Sequence, residues 1–233
     1  MKRIGILSFF PCFTPPRSGG ELRLYHLATH LAGHGFDVQM AAPTFGEAKA
    51  QTIHHAPNFI EKRFPRTKVY NAGHAFIDRF AGFRESSGLV ASIVCRKHQY
   101  LREEAERLVR DSDIITHESP FLQPLMPRER RRGQLLVYNS YNVEATLARA
   151  MFGRTLQGRL ATRHVASLER ALLRESDVVF ACSEEDAQGF VTHFGTARSR
   201  IVVVPNGVDV DAIRPATPEQ RTAARAHLHA SAN

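Results

Sequence analysis

The stretch that decides the fold is Ile201–Asp209, which reads IVVVPNGVD. Its first four residues form a continuous β-branched run, which is typical of a strand buried on both faces of a parallel sheet. Pro205 ends this strand because it has no backbone N–H, and Asn206 and Gly207 tolerate the positive φ angles of a sharp turn. The loop therefore lies where open α/β sheets bind their ligands, at the carboxyl end of a strand.

The rest of the chain alternates apolar runs with segments that carry apolar residues at helical spacing. We predict strands at Lys2–Phe10, Phe36–Ala42, Asp113–Thr116, Leu135–Tyr138, Asp177–Ala181 and Ile201–Val204. We predict helices at Gly20–Gly33, Leu89–Arg110, Arg154–Arg174 and Glu184–Phe194. Pro43–Pro65 is interpreted as a polar excursion outside the core, and Val69–Ala72 as a short strand. This alternation predicts an α/β fold with a doubly wound, mostly parallel sheet.

The overall charge is positive, with 31 Lys and Arg against 23 Asp and Glu in 233 residues and a formal net charge of +8. Such a charge favours anionic partners, namely nucleic acid, phosphorylated ligands or an acidic membrane surface. The sequence contains no recognised nucleic-acid-binding module, so we expect no nucleic-acid partner.

The cysteines indicate a reducing compartment, because Cys12, Cys95 and Cys182 are odd in number and lack the CxxC spacing of disulfide or zinc frameworks. The apolar run at the N-terminus is short and ends at Pro11, so we interpret it as the first strand rather than a signal peptide. No apolar run approaches the ~18–20 residues that span a bilayer. These features predict a cytoplasmic location, with peripheral contact to the inner face of a membrane as an added hypothesis.

Several familiar site types are excluded. The sequence has no G-x-G-x-x-G, Walker, G-x-S-x-G or H-E-x-x-H motif, which argues against dinucleotide, P-loop, hydrolase and zinc-protease chemistry. His26, His30 and His34 share one helix face, but no carboxylate or thiolate joins them. We therefore expect no metal site.

Four strand ends carry polar or glycine-rich turns, at Ser18–Gly20, His117–Glu118, Asn139–Glu144 and Asn206–Asp209. The carboxyl ends of parallel strands meet at one edge, so these turns are expected to converge on one crevice. His117 is the side chain among them that exchanges a proton near neutral pH, and we expect it to be partly open beside the Gly19–Gly20 loop. The alternative is a structural histidine that donates to a neighbouring carbonyl.

Gly19 and Gly20 stand at the start of a predicted helix, where free backbone N–H groups and the helix dipole suit an anion. A plain turn that needs glycine for its geometry explains the pair equally well.

Phe76, Phe80 and Phe83 recur at helical spacing, with Arg79 and Arg84 among them. Such an amphipathic helix either lies on an anionic membrane surface or packs its aromatic stripe on the domain. Both interpretations remain open from the sequence.

The ordered set of motifs resembles the N-terminal domain of the retaining, family-4-type glycosyltransferases of GT-B fold. The motifs are, in order, the SGG loop, LAGHGFDV, SDIITHESP, YNVEA, ERALLRESDVVFACSEEDA and PNGVD. The resemblance runs from Lys2 to about Pro215, and PNGVD is among its most specific parts.

The resemblance implies a Rossmann-like domain of residues 1–212 that forms the acceptor-side half of a GT-B enzyme, followed by a linker and helix at 213–233. It places Gly19 and Gly20 at the loop that approaches the donor diphosphate, His117 near sugar and acceptor as a catalytic residue, and Asn206 and Gly207 at the interdomain connection. No metal or cofactor is implied, since the nucleotide sugar is a co-substrate.

The chain departs from the family pattern at Tyr141–Asn142, where many members have His-Asn. We therefore assign no family role to that position. We also expect the donor-binding domain to lie outside these 233 residues, in cis or in trans. The leading hypothesis is an acceptor-side domain of a hexosyl-transferring enzyme that is inactive alone. The alternative is a non-catalytic binding subunit that works beside a separate donor-domain protein or at an anionic membrane.

Overall fold

The computed structural model describes residues 1–16, 18–44, 49–83, 85–126, 129–207 and 214–227. Its strands are β1 (Arg3–Leu7), β2 (Asp37–Thr44), β3 (Gln51–Ala56), β4 (Phe59–Pro65), β5 (Ile114–His117), β6 (Leu135–Asn139), β7 (Val178–Ala181) and β8 (Ile201–Val203). Its helices are α1 (Gly19–Gly33), α2 (Lys68–Ala81), α3 (Ser87–Val94), α4 (Gln99–Asp111), α5 (Glu144–Phe152), α6 (Leu156–Glu175), α7 (Glu184–Phe194) and α8 (Pro218–His227). Short 3-10 turns lie at Cys95–Lys97, Pro120–Leu125 and Arg198–Arg200.

The strands form one eight-stranded sheet in the order β3-β4-β2-β1-β5-β6-β7-β8. Every neighbouring pair is parallel except β3 and β4, which are antiparallel at one edge. The order runs outward from β1 in both directions, which confirms the predicted doubly wound, mostly parallel sheet.

The sheet separates two apolar layers. On one face, Ile4 and Ile6 pack with Leu24 and Ala28 of α1. On the other face, Leu7 packs with buried residues of α3, α4 and α6, and the same face continues across β6 to α7. Side chains alternate along each strand, so every strand residue belongs to one layer or the other.

Two predictions about the first half of the chain are wrong. Pro43–Pro65 is not an excursion outside the core: it contains β3 and β4, and Phe59 of β4 is fully buried. Polar residues hid these strands, because Glu61 and Arg63 occupy buried positions on the same side of β4 as Phe59. Val69–Ala72 is not a strand, since it lies in the first turns of α2, which Thr67 caps through the N–H of Tyr70.

The predicted helix Leu89–Arg110 is divided into α3 and α4 by the 3-10 turn at Cys95–Lys97. His98 starts α4, because its Nδ1 accepts a hydrogen bond from the N–H of Leu101 at 3.3 Å while its Nε2 lies 2.9 Å from the carbonyl of Pro65. A histidine that caps a helix has no strong sequence signal, which explains why the break was missed.

A buried carboxylate fixes the loop between β1 and α1. Glu61 accepts hydrogen bonds from the N–H of Cys12 at 2.9 Å and from Arg63 at 2.9 Å, and its Oε2 lies 2.7 Å from Nε2 of His55. Arg63 also donates to the carbonyl of Cys12 at 2.8 Å. These bonds hold the loop that leads into α1 against the β3–β4 hairpin.

The end of the described chain is less tightly held. The N–H of Val204 donates to the carbonyl of Ala181 at 2.8 Å, after which the chain leaves the sheet. The predicted tail helix Thr217–Leu228 is seen as α8, which has no buried residue. Val208 and Asp209, together with the whole of 208–213, lie outside the described residues, so the proposed boundary at 212 remains a prediction.

None of the helices in the described ranges is both long and apolar enough to cross a membrane.

Candidate functional site

The centre of the carboxyl edge is Arg23, a buried arginine in the second turn of α1. Its Nη1 donates to the carbonyl of Val204 at 2.7 Å and to Oδ1 of Asn206 at 3.0 Å, and its Nη2 donates to Oδ1 of Asn139 at 3.0 Å. One guanidinium therefore joins α1, the end of β6 and the loop that follows β8. Its Nε is buried without a partner among the described residues.

Glu118 lies beneath this guanidinium and is fully buried. It accepts hydrogen bonds from Nδ2 of Asn139 at 2.7 Å, from Oγ1 of Thr116 at 2.9 Å and from the hydroxyl of Tyr141. Burial raises the pKa of Glu118, while these three hydrogen bonds and the charge of Arg23 act in the opposite direction. The result is a connected polar network, defined here as the Arg23 network: Arg23, Glu118, Asn139, Tyr141 and Asn206.

The aromatic rings of Tyr141 and Phe10 close one side of this network. Arg23 lies 6.0 Å from the ring centre of Tyr141, and the Phe10 ring lies 6.0 Å from the same ring. A site with a cation, amide groups and a carboxyl group beside aromatic rings suits a ligand rich in hydroxyl or phosphate oxygens.

His117 is not where we expected it, since its side chain is fully buried rather than partly open. The register pairs His117 with Leu7 on one side and Tyr138 on the other, which places it in the layer opposite α1. Thr116 and Glu118 share a hydrogen bond on the face of Arg23, so strand alternation turns His117 away from them. The prediction that the His117 side chain is partly open beside Gly19–Gly20 is therefore wrong.

The His117 imidazole nevertheless remains unusual. Neither ring nitrogen has a hydrogen-bond partner among the described residues. Burial lowers its pKa to about 4, although the backbone of Ser119 acts in the opposite direction. The ring is therefore neutral at physiological pH, and whether it takes part in catalysis stays a prediction.

Gly19 and Gly20 form the first turn of α1, whose N-cap Ser18 accepts a hydrogen bond from the N–H of Glu21 at 3.3 Å. A Cβ at Gly19 would meet no heavy atom within 4 Å, and one at Gly20 would meet the Phe10 ring at 3.7 Å. Within the described part of the chain, the N–H groups of both glycines have no assigned acceptor. The loop is therefore open enough to receive an anion.

The structure brings some predicted site residues together and separates others. Asn206 joins the Arg23 network directly, and Gly207 follows it in the chain. Gly19 and Gly20 precede Arg23 on the same helix, whereas His117 faces the opposite layer. Arg23 itself was missed, because an arginine beside Leu24 on an amphipathic helix resembles an ordinary solvent-facing residue.

A pair of buried carboxyl groups, Glu144 and Glu169, lies near the start of α5. Glu169 accepts hydrogen bonds from the N–H groups of Glu144 and Ala145, both at 2.8 Å, and from the hydroxyl of Tyr138 at 3.0 Å. Burial and the nearby charge of Glu169 raise the pKa of Glu144 to about 8. Burial also raises the pKa of Glu169, to about 7, although its three hydrogen-bond donors act in the opposite direction. Glu144 therefore holds its proton to a higher pH than Glu169 does.

Replacing Arg23 with Met should lower the free energy of unfolding by about 2–4 kcal/mol, because Asn206, Asn139 and the carbonyl of Val204 lose a charged donor inside the fold. Urea denaturation measures the change. Arg198→Met is the control, since Arg198 pairs with exposed Glu184 and should cost about 1 kcal/mol or less.

Adding Glu118→Gln to the parent chain and to Arg23→Met tests the energetic coupling between Glu118 and Arg23. Because Asn139 connects the two side chains, the double-mutant cycle should give a coupling of at least about 1 kcal/mol. Equal effects of Arg23→Met and Arg198→Met would contradict a central role for Arg23.

Glu144→Gln should make the fall in stability with rising pH shallower between about 5 and 8. The folded pKa of Glu144 is about 8 against an ordinary value of 4.5, so in this window the folded state keeps a proton that the unfolded state has lost. The free energy of unfolding of the parent chain therefore falls as pH rises, by up to ~1.4 kcal/mol per pH unit for one proton.

Denaturant midpoints at several pH values measure this slope. Leu147→Gln, a neutral change on the exposed side of the same helix, is the control and should retain the parent slope. An unchanged slope in Glu144→Gln would show that the proton resides elsewhere.

The model of Glycosyltransferase Family 4 matches residues 17–212. No curated protein matches the chain. Among solved structures, sucrose-phosphate synthase from Thermosynechococcus elongatus aligns with a TM-score of 0.60 at 14% identity, over 99% of this chain and 53% of that one. The E. coli trehalose-6-phosphate structure bound with UDP-2-fluoro glucose aligns with 0.59 at 15% identity, over 98% and 55%.

Anabaena HepE in complex with UDP and glucose aligns with a TM-score of 0.51 at 13% identity, over 96% of this chain and 50% of that one. At these identities the likeness establishes the fold, which is that of GT-B glycosyltransferases. The chain spans about half the length of each of these structures. The match over residues 17–212 shows that the chain belongs to Glycosyltransferase Family 4.

Proposed function

We propose that the chain is the acceptor-side domain of a nucleotide-sugar-dependent glycosyltransferase that transfers a hexosyl group. The observation that carries this proposal is the Arg23 network, which gathers α1, β5, β6 and the exit loop of β8 at one sheet edge. Parallel α/β sheets bind ligands at this edge. The family match and the half-length coverage of GT-B structures agree with it.

The donor is proposed to be a nucleotide sugar, whose diphosphate approaches Gly19 and Gly20. Two of the similar structures are described with UDP-2-fluoro glucose and with UDP and glucose. In this chain the support is local: the N–H groups at the start of a 15-residue helix are open, and helix N-termini favour anions.

His117 is proposed to position a sugar or acceptor hydroxyl. A buried imidazole without partners is costly, by about 1–3 kcal/mol for an unsatisfied polar group, and a bound hydroxyl would relieve that cost. Because its pKa is lowered to about 4, the neutral ring offers one donor and one acceptor rather than a charge. Reaching His117 requires the surrounding side chains to move when ligand binds.

The exit loop Asn206–Gly207 is proposed to lead to a donor-binding domain, supplied in cis or in trans, with residues 213–233 as the connecting linker and helix. Asn206 is tied to Arg23, so movement of a second domain would be transmitted directly to the crevice. The proposed contacts of this chain reach only the diphosphate and leave the rest of the nucleotide to a second domain, so the 233 residues are proposed to be inactive alone.

The alternative is a non-catalytic binding subunit at an anionic membrane. The predicted aromatic stripe gives it little support, because Phe83, two residues after α2, packs against the core while Phe76 is exposed. The side chain of Phe80 and the whole of Arg84 lie outside the described residues. A cytoplasmic location remains a proposal that is compatible with either function.

Transfer from labelled UDP-, GDP- and ADP-sugars to a mixture of sugar and lipid acceptors tests the proposal. Two proteins are compared: the 233-residue chain, and the polypeptide of the longest open reading frame that contains it. We expect turnover by the longer polypeptide and none by the shorter one, because the nucleotide needs a second domain. In the active protein, His117→Ala should lower kcat/KM by about a hundredfold in the folded fraction. Because the ring is fully buried, its removal should also lower Tm.

Robust turnover by the 233-residue chain would contradict the half-cleft proposal. Absence of turnover in both proteins would favour the binding subunit. Loss of folding in His117→Ala, with full activity in the remaining folded fraction, would make His117 a core residue.

A further inference from the structure

A second surface stands out on the hairpin of α5 and α6. Between Ala145 and Leu168 the sequence contains no Asp or Glu but has four arginines, all exposed: Arg149, Arg154, Arg159 and Arg163. The acidic residues that flank this stretch, Glu144 and Glu169, are both buried. We call residues 145–168 the cationic hairpin. With histidine counted as neutral, this segment carries a charge of +4, half of the chain's net charge of +8.

These four guanidinium groups have no ion pair or hydrogen bond within the described part of the chain. Other arginines are paired, for example Arg130 at 2.5 Å from Asp177, Arg107 at 2.5 Å from Glu104 and Arg198 at 2.9 Å from Glu184. The charge of the cationic hairpin is therefore uncompensated, which leaves it available to an external anion.

Apolar side chains accompany the charge. Leu147 and Met151 are exposed on α5, and Leu156 and Leu160 are 71% and 55% exposed on the first turns of α6. Each pair has i, i+4 spacing, so its two members lie on one side of their helix. Exposed leucines interspersed with arginines form an amphipathic surface rather than a simple solvated charge run.

An open surface cleft lies on the α5 side of this hairpin. It encloses about 470 Å³ and is lined by Thr146, Arg149, Ala150, Gly153 and Arg154. Two of the unpaired arginines, Arg149 and Arg154, therefore line this open depression. Arginine matches phosphate geometry well because its planar fork donates two parallel hydrogen bonds.

We propose that the cationic hairpin docks on an anionic lipid surface, with phosphate headgroups at Arg149 and Arg154 and the exposed leucines in the interfacial layer. Charge complementarity identifies the partner as anionic, and the apolar residues distinguish lipid from other anions. Single-stranded nucleic acid is bound largely by stacking on aromatic rings, and the aromatic residue of this hairpin, Phe152, is buried. A free phosphate would use the arginines but not the leucines. The inference does not depend on sugar transfer.

Sedimentation with lipid vesicles tests the proposal on the 233-residue chain, without nucleotide sugar. Vesicles of phosphatidylcholine are compared with vesicles that also contain about 30% phosphatidylglycerol, at about 0.05 M and about 0.5 M salt. The hairpin variant R149Q/R154Q/R159Q/R163Q is compared with R102Q/R110Q/R221Q/R225Q, which removes the same charge from exposed arginines elsewhere. Thermal unfolding confirms that each variant is folded.

We expect the parent chain to bind the anionic vesicles selectively and to lose binding at high salt. The hairpin variant should bind at least about tenfold more weakly, while the charge-matched control stays within about threefold of the parent chain. Leu156→Ser with Leu160→Ser should also weaken binding, whereas Ile93→Ser with Tyr100→Ser, at two other exposed apolar positions, should not.

Four results would overturn the proposal. These are failure of the parent chain to bind anionic vesicles, equal loss of binding in both arginine variants, displacement by millimolar inorganic phosphate, and tighter binding to single-stranded RNA than to vesicles. Because no sugar donor is present, these outcomes are independent of the transferase assay.

Discussion

The arrangement of the carboxyl edge depends on one buried guanidinium. Arg23 lies early in the chain, yet it donates to Asn139, Val204 and Asn206, which are 116, 181 and 183 residues further along. A buried arginine is tolerated only when its donors find oxygen acceptors, and here a side-chain amide, a backbone carbonyl and an asparagine of the exit loop supply them. Through Asn139 the same guanidinium steadies Glu118. The start of α1 and the last strand are thus held in one polar cluster.

The loop between β1 and α1 is fixed from both ends. Glu61 binds the N–H of Cys12 near its start, and Arg23 anchors the helix that follows it. Gly19 and Gly20 lie between these two anchors with open N–H groups. These anchors reduce the conformational freedom that the described part of the loop would lose when it binds an anion. The cationic hairpin differs in kind, since its arginines are unpaired and depend on an outside partner.

The general fold was predictable because it follows from periodicity: short apolar runs marked β1, β6, β7 and β8, and apolar residues at helical spacing marked α1 and α7. The β3–β4 hairpin was not predictable, because Glu61 and Arg63 satisfy each other inside the fold and so give a polar sequence to buried strands. The edge that carries the candidate site followed from the parallel sheet, and Asn206 was correctly placed there. The prediction that His117 is partly open was wrong. Strand β5 extends one residue further than predicted, so His117 belongs to the strand, and its pairing with Leu7 decides the layer that it faces. Arg23 could not be found, since its partners come from distant strands.

The central claim is that the carboxyl edge around Arg23 receives a nucleotide diphosphate. Amide hydrogen exchange tests it most directly, measured on the polypeptide of the longest open reading frame that contains this chain, with and without UDP, GDP and ADP. The account predicts slower exchange on nucleotide binding in residues 18–23, 139–142 and 204–207, because these segments meet in the Arg23 network. Slowing confined to the amino ends of the strands or to the cationic hairpin, with these three segments unchanged, would contradict it.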